Sequence, residues 1–123
     1  MFLIDEEKII HCTRGDAAVF SVGALLDGAA YTFNVGDVIR FNVMKRKECA
    51  SVVLSKDFAV AEPTEAVEIS LAGDETKIGD VISKPLDYWY EVELNPDTNP
   101  QTIIGYDTDG AKIFRLYPEG MEV

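Results

Sequence analysis

The feature that most constrains the fold is the segment "LDYWYEVELN", which spans Leu86–Asn95 and alternates strictly between two kinds of side chain. Successive residues of a β-strand point to opposite faces, so a period of two predicts a strand that is buried on one side. Ten residues at ~3.3 Å each extend about 33 Å. The segment therefore predicts one long strand across the domain, with Leu86, Tyr88, Tyr90, Val92 and Leu94 facing the core and Asp87, Trp89, Glu91, Glu93 and Asn95 facing outwards.

The same period recurs elsewhere, with turn-forming residues between the runs at intervals of roughly ten to fifteen residues. Such spacing is typical of an antiparallel β-sandwich or barrel. We predict one all-β domain over residues 1–123, with its core at about 8–118 and about seven to nine strands. A single short helical turn is expected in Ala72–Val81, between Gly73 and Gly79. The other predicted strands are Lys8–Cys12, Ala17–Val22, Val38–Lys45, Ala50–Lys56 and Glu65–Leu71.

Three turns are predicted between these strands. Arg14-Gly15-Asp16 joins the first two strands as a hairpin, and Lys45–Lys47 forms an exposed hairpin tip whose three basic residues do not make a phosphate site. Asp109-Gly110 closes the last hairpin, because a tight turn requires positive φ angles. In Val38–Lys45 we expect one buried face and one that is mostly exposed to water.

Composition narrows the classes of partner. Hydrophobic residues make up 47% and charged residues 27%, as in ordinary globular domains. Asp and Glu outnumber Lys and Arg by 22 to 11, and a net charge of −11 disfavours binding to nucleic acid and to anionic membranes.

The first residues do not form a secretory signal, which leads us to expect synthesis in the cytoplasm. Cys12 and Cys49 are then expected to be buried free thiols, although a disulfide stays open if their strands are neighbours.

The catalytic and metal-binding inventory is small. His11 is the one histidine, and its neighbour Cys12 points to the opposite side of the strand, so a Cys-His pair is not expected. A structural zinc site needs four Cys or His ligands, and the chain has three such residues. Asp107–Lys112 resembles part of a calcium loop but has no closing glutamate. We therefore predict no enzyme, no metal and no cofactor.

The outward face of the long strand carries the candidate interaction residues Trp89, Glu91 and Glu93. Three explanations for an outward Trp89 stay open: cover by the loop of residues 23–37, burial in a subunit interface, or stacking on a sugar. Glu91 and Glu93 lie about 7 Å apart on one face, near the separation used by glycoside hydrolases. A carbohydrate-binding module and, less favoured, a hydrolase are therefore the alternatives to a binding role between proteins.

Taken in order, the segments "KIIHCTRGDAAVFSV", "DVIRFNVMK", "AVEISLAGDETK", "LDYWYEVELN" and "DGAKIFRLYPEG" resemble the N-terminal domain of phage baseplate upper proteins. Related small tail proteins occur in phages and prophages of Gram-positive, often gut, bacteria. The resemblance implies an immunoglobulin-like β-sandwich that serves as a non-enzymatic structural or assembly protein of a virion. Its partners would be other tail or baseplate subunits or further copies of itself.

Two segments carry the resemblance as structural features, Arg14-Gly15-Asp16 and Asp74-Glu75-Thr76. The first spells an integrin-binding tripeptide, but such a ligand needs export and an exposed, flexible loop. Gly15 provides a permissive backbone and Asp16 can accept hydrogen bonds from local amides. We therefore interpret the tripeptide as a turn of the fold and not as a receptor ligand.

Overall fold

A computed structural model of the chain describes residues 2–26, 28–47, 51–104 and 110–119, with the side chain of Leu26 left aside. The described residues form eleven β-strands, more than the seven to nine predicted, and no helix. The predicted all-β class is confirmed, and none of these residues belongs to a helix that could span a membrane. The strands are β1 (Phe2–Ile4), β2 (Ile10–Thr13), β3 (Ala18–Val22), β4 (Leu25–Leu26), β5 (Ala29–Ala30), β6 (Val38–Met44), β7 (Val52–Ala59), β8 (Val67–Leu71), β9 (Leu86–Leu94), β10 (Gln101–Ile104) and β11 (Lys112–Tyr117).

One large sheet organises the fold, with the strand order β1-β2-β11-β9-β6-β7 and with β10 paired to β9 as well. All of its strand pairs are antiparallel except β2 and β11, which run parallel. The predicted long strand is confirmed as β9, which lies at the centre of this sheet. Its residues Tyr88, Tyr90, Val92 and Leu94 are buried, as the alternation predicted, whereas Leu86, which was predicted on the same face, is 44% exposed at the strand's start.

The second layer is a two-stranded ribbon of β3 and β8, whose alternate residues are buried. Phe20 on the ribbon lies 5.6 Å, centroid to centroid, from Phe41 on β6, and 5.7 Å from Phe2 on β1. These contacts place the ribbon on the inner face of the large sheet. The chain therefore has a β-sandwich-like arrangement of two layers, with a small β4–β5 hairpin beside them.

The core between the layers is aromatic at its centre. Phe41 packs against Tyr90 and Phe114 at centroid distances of 5.7 and 6.4 Å, and Phe41 and Phe114 have no exposed surface. Burial of one such side chain stabilises the fold by roughly 1.5–3 kcal/mol. The Tyr90 hydroxyl donates a hydrogen bond to the Lys8 carbonyl, so its polar atom is satisfied inside the core.

The predicted helical turn in Ala72–Val81 is wrong. The segment forms hydrogen-bonded turns, in which Glu75 N–H donates to Ala72 O at 3.0 Å. The Glu75 carboxylate accepts from the amide of Ala72, and the hydroxyl of Thr76 is hydrogen-bonded to the carbonyls of Gly73 and Asp16. The amides of Glu75 and Lys77 donate three residues back, to Ala72 O and Asp74 O, and the Thr76 hydroxyl takes the Gly73 carbonyl that a helix would pair with the Lys77 amide, so the turns do not continue as a helix.

The predicted hairpin between β2 and β3 is also wrong, since the two strands belong to different layers. β2 pairs with β1 and β11, whereas β3 pairs with β8. The turn at Arg14–Asp16 therefore carries the chain from the large sheet to the ribbon. The alternation within each strand predicts which of its faces is buried. It does not predict that the buried faces of β2 and β3 lie opposite each other across the core.

The predicted closing hairpin of the last two strands is replaced by two strands in line. β11 pairs with residues 86–90 of β9 and β10 pairs with residues 92–94, both antiparallel and both on the edge of β9 opposite β6. Two strands that run in the same direction cannot pair as a hairpin. Of the predicted turn, Asp109 lies outside the described residues, and Gly110 has a φ of +69°.

Two smaller predictions concern β6 and the cysteines. β6 and β7 form the expected antiparallel pair around the exposed Lys45–Lys47. The outward face of β6 is less exposed to solvent than expected, because Asn42 and Met44 are buried there.

Cys12 is a buried free thiol, and burial raises its pKa to about 11. Cys49 lies outside the described residues.

Candidate functional site

The candidate site is the outer face of the large sheet, which points away from the ribbon. Period two places Trp89, Glu91 and Glu93 of β9 on this face, so the structure brings the three predicted interaction residues together on one strand. The strand registers arrange their neighbours into rows that run across the sheet. Side chains that lie opposite one another in such rows contact each other, so the rows are the units in which this face is built.

One row is apolar and crosses four strands. The registers place Ile113 of β11 beside Trp89, Trp89 beside Met44 of β6, and Met44 beside Val52 of β7. Met44 has no exposed surface although it lies outside the main core, Trp89 and Ile113 are partly buried, and Val52 is 53% exposed. We call these four residues the apolar row.

On one side of the apolar row, an arginine and an aspartate are paired between β11 and β9. Arg115 Nε donates to Asp87 Oδ1 at 2.7 Å and its Nη2 donates to Asp87 Oδ2 at 3.2 Å. This two-point geometry fixes the orientation of the two side chains relative to each other. The hydrogen bonds that Asp87 accepts raise the pKa of Arg115, so the guanidinium stays charged.

Next to this pair lies a hydrogen-bonded chain of Asp5, His11 and Tyr117. His11 Nε2 is 3.0 Å from Asp5 Oδ2, and its Nδ1 is 2.7 Å from the Tyr117 hydroxyl. The other Asp5 oxygen accepts the amides of Glu7 and Ile9, which fixes the turn between β1 and β2. The hydrogen bond from His11 is the main reason that the Asp5 pKa is lowered.

Chemically, the hydrogen-bonded residues Asp5, His11 and Tyr117 resemble a histidine base whose imidazole ring is oriented by a carboxylate. With Nε2–H donating to Asp5, the Nδ1 of a neutral His11 accepts a hydrogen bond from the Tyr117 hydroxyl. The arrangement orients all three side chains and leaves His11 only 15% exposed at its side chain. Sequence inspection did not predict this contact, because Asp5 and Tyr117 are separated by 112 positions.

On the other side of the apolar row, the side chains are polar. Ser55 donates to Asn42 Oδ1 at 2.7 Å, and Asn42 Nδ2 donates to Glu93 Oε1 at 3.2 Å. Burial, followed by the nearby charge of Glu91, raises the Glu93 pKa. Glu91 is the register partner of Asn42, so a carboxylate and an amide side chain lie directly beside the apolar row.

Arg40 ends this part of the face. It donates to both oxygens of Asp57 at 2.7 and 3.0 Å, and to those of Asp97 at 3.3 and 3.0 Å. The hydrogen bonds from Arg40 lower the Asp57 pKa. The outer face is thus an apolar row between two groups of hydrogen-bonded and ion-paired side chains.

The loop predicted to cover Trp89 packs elsewhere. Phe33 is buried in the main core, and Ala24 and Tyr31 pack against that core, with the Tyr31 ring 5.3 Å from that of Phe33. The main core lies on the opposite side of the sheet from Trp89. Of the three explanations for an outward Trp89, an interface and a sugar site stay open.

The Arg14-Gly15-Asp16 turn is held by the other segment on which the family resemblance rests. Gly15 has a φ of +93°, and its amide donates to Thr76 Oγ1 at 2.9 Å. Arg14 donates to the carbonyls of Ile78 and Gly79 and to Glu119. The arginine that an integrin would bind is therefore occupied inside the protein, with 10% of its side chain exposed.

Other kinds of site find little support in the part of the chain that is described. There, no three His, Cys, Asp or Glu side chains are grouped closely enough to hold a metal ion. Comparisons with protein-family models, with curated proteins and with solved structures found no match to this chain. The geometry of the site is therefore the basis for a functional proposal.

Proposed function

We propose that the chain is a non-enzymatic structural or assembly protein that binds a protein partner through the outer face of its large sheet. The observation that carries the proposal is the apolar row, in which a partly buried Trp89 lies between Ile113 and the fully buried Met44. An outward tryptophan over a buried methionine offers apolar surface that the fold itself does not need for its core.

The surroundings of the apolar row suit an interface. Trp and Arg are enriched among the residues that contribute most to binding between proteins, and such residues lie at the centre of a patch whose rim excludes water. Here Asp87–Arg115 and Arg40–Asp57 hold the rim in place before binding. Charged side chains that are already ordered lose less conformational entropy when a partner arrives.

The biological setting of the proposal comes from the sequence resemblance. We propose an immunoglobulin-like module of a phage or prophage tail or baseplate, whose partners are other tail subunits or further copies of the chain. The two-layer β arrangement and the acidic charge are compatible with such a module. No nucleic acid, membrane or cofactor is part of the proposal.

Incorporation into particles tests this function. The chain is tagged in an induced prophage, particles are purified, and the label is located by electron microscopy. Trp89→Ala is expected to reduce incorporation by tenfold or more, since hot-spot truncations cost about 2 kcal/mol or more. Val19→Ala, on the exposed side of the ribbon, is the matched control. Particles without the chain, or equal incorporation of both variants, would contradict the proposal.

A carbohydrate-binding module is the second candidate, because Asn42 and Glu91 place hydrogen-bonding groups beside Trp89. Sugars stack on an aromatic ring while their hydroxyls bind such groups. A glycan array separates the two functions. Binding of a glycan by the parent chain but not by Trp89→Ala would favour the module over the assembly role.

A glycoside hydrolase is the weaker alternative, supported by the raised Glu93 pKa next to Glu91. A general acid needs a raised pKa, and an inverting pair has its carboxylates about 6.5–9.5 Å apart. Glu93→Gln and Glu91→Gln should each abolish hydrolysis of a chromogenic glycoside if this pair is catalytic. Activity that survives both substitutions would exclude it.

A further inference from the structure

A second surface, on the side edge of the molecule, has no role in the proposed function. Between β7 and β8 the two layers separate and leave a groove of about 540 Å³, which we call the β7–β8 groove. The buried residues Val60 and Val67 contribute to its lining, together with the partly buried Phe58. β7 is the last strand of the large sheet and β8 pairs only with β3 among the described strands, so a free strand edge borders the groove on each side.

The backbone groups that face the groove follow from the hydrogen bonds around it. Val60 N–H donates to Asp37 O at 2.9 Å, so Val60 faces β6 and the alternate residues Asp57 and Ala59 face the free edge. On β8, Ser70 O accepts from Lys56 Nζ at 2.8 Å, and the amide of Ala72 donates to the Glu75 oxygen that Lys56 also contacts, so Ser70 and the alternate residue Glu68 face away from β3. Both edges of the groove therefore present N–H and C=O groups in the pattern that an added strand requires.

Specific contacts bound the groove at both ends. At one end Lys56 spans the gap, with Nζ bonded to Ser70 O and, at 2.7 Å, to Glu75 Oε1. At the other end Phe33 and Thr64 form an isolated bridge, with Phe33 N–H donating to Thr64 O at 2.7 Å. The groove is thus held open by the fold, with a lysine side chain instead of a backbone ladder joining β7 to β8.

The charges at the groove select the kind of occupant. Glu62 and Glu68 are exposed and line it, and among the described residues neither side-chain carboxylate has a hydrogen-bond or ion-pair partner. Asp57, the third carboxylate there, is paired with Arg40 on the outer face. A second copy of this acidic chain would bring the same carboxylates against these, which is unfavourable, whereas lysine or arginine side chains would pair with them.

We infer that the β7–β8 groove binds an extended, basic segment of a partner polypeptide, which adds to the free strand edges as a further strand. Backbone hydrogen bonds to Asp57, Ala59 and Glu68 fix the register of the added strand. Its inward side chains contact the apolar lining of the groove, and its basic side chains form ion pairs with Glu62 and Glu68. The groove and the apolar row are separate surfaces, so each assignment can fail without the other.

Binding of a synthetic peptide tests the inference. The probe is a short acetylated peptide of alternating lysine and threonine, and the readouts are titration calorimetry and backbone amide chemical shifts. We expect saturable binding with the largest shifts at Asp57, Ala59 and Glu68. A peptide with glutamate in place of lysine, and one with methylated backbone nitrogens at the threonines, should not bind, because they remove the charge match and the donors respectively.

Three variants sharpen the test. Glu62→Gln with Glu68→Gln should weaken binding about threefold to tenfold, as expected for two exposed ion pairs. Ala59→Pro should weaken it about tenfold by removing an edge donor, and it keeps the β6 ladder because that N–H faces outwards. Glu65→Gln, in the same loop but outside the groove lining, is the matched control.

Several results would overturn the inference. They are no saturable binding of the basic peptide, equal binding of the glutamate peptide, and shifts confined to the face of Trp89. Concentration-dependent shifts at the same amides without any peptide would also overturn it, since they would make a second copy the occupant. Loss of particle incorporation in Trp89→Ala with peptide binding intact would separate this site from the proposed interface.

Discussion

The two faces of the large sheet are built from the same strands but are held by different forces. On the inner face Phe41, Tyr90 and Phe114 are buried against one another and against the ribbon. On the outer face the side chains contact their lateral neighbours, as in Arg115–Asp87 and Asn42–Glu93. Alternate residues of β6 and β9 thus contribute to two unrelated environments.

This difference shows where the protein can specialise. Apolar burial contributes most of the free energy of folding, and its loss is costly wherever it occurs in a packed core. Exposed ion pairs contribute about 0–1 kcal/mol each, so their arrangement can change with little effect on folding. The outer face can therefore be shaped for a partner while the inner face maintains the fold.

The largest expected effect is at the centre of the inner face. Phe41→Ala removes a ring with no exposed surface that contacts Phe20, Tyr90 and Phe114. We expect the free energy of unfolding to fall by about 3–5 kcal/mol in urea titrations. Phe41→Leu, which leaves a smaller cavity, should lose less. A loss below about 1 kcal/mol would mean that the two layers do not pack as described.

The apolar row is expected to show the next largest effect, although it lies on the outer face. Met44→Ala should cost about 2 kcal/mol or more, because Met44 is fully buried and its removal leaves a cavity beside Trp89. Val52→Ala in the same row is the control and should change stability by under about 0.5 kcal/mol, since Val52 is 53% exposed. Equal effects would remove the distinction between buried and exposed parts of the row.

A smaller effect is expected for the ion pair next to the row. Asp87→Asn removes the charge that Arg115 faces and should destabilise by under about 1 kcal/mol. The effect should shrink in high salt, which screens exposed charges. A double-mutant cycle with Arg115→Gln measures the pair itself. A coupling energy above about 2 kcal/mol would show that lateral pairs stabilise this face more than we argue.

The smallest effect has the opposite sign and depends on pH. The Glu93 pKa is raised in the folded state, so the fold disfavours its charged form. Its favourable contribution is present below the unfolded pKa of about 4.3 and is lost as the pH rises through the raised value. Glu93→Gln should therefore increase stability at pH 7 by under about 1 kcal/mol and leave it unchanged in acid.

Thermal unfolding at pH 7 and at about pH 3.5 measures this difference, with Glu68→Gln at an exposed position as the matched control. The glutamine can still accept the hydrogen bond from Asn42, so packing is conserved. Destabilisation by Glu93→Gln at pH 7 would mean that the carboxylate is stabilised on this face and that the raised pKa is wrong in sign.

Much of each strand could be predicted because its information is local. The alternation of Tyr88, Tyr90 and Val92 with Trp89 and Glu91 encodes which side chains are buried, whatever the strand pairs with. The same holds for Ala18, Phe20 and Val22 on β3. The candidate residues Trp89, Glu91 and Glu93 were found in this way, since outward residues on a long central strand stand out without any structure.

Other features of the site could not be predicted from the alternation within single strands. The burial of Met44 depends on Trp89 and Val52, its register partners in two other strands. The contacts of His11 depend on the parallel pairing of β2 with β11, which brings Tyr117 next to it. The turn at 72–76 depends on Thr76 meeting Gly15 and Asp16. Each requires a pairing between distant segments.

By itself, the sequence determined the β class, the buried faces of strands such as β3 and β9 and the outward position of Trp89, because neighbouring residues encode a period of two. Only the tertiary structure decided that β2 and β3 lie in different layers, that β10 and β11 run in line, and that a groove opens between β7 and β8. Strand pairing depends on the packing of the whole core, and residues that are close in sequence do not encode it.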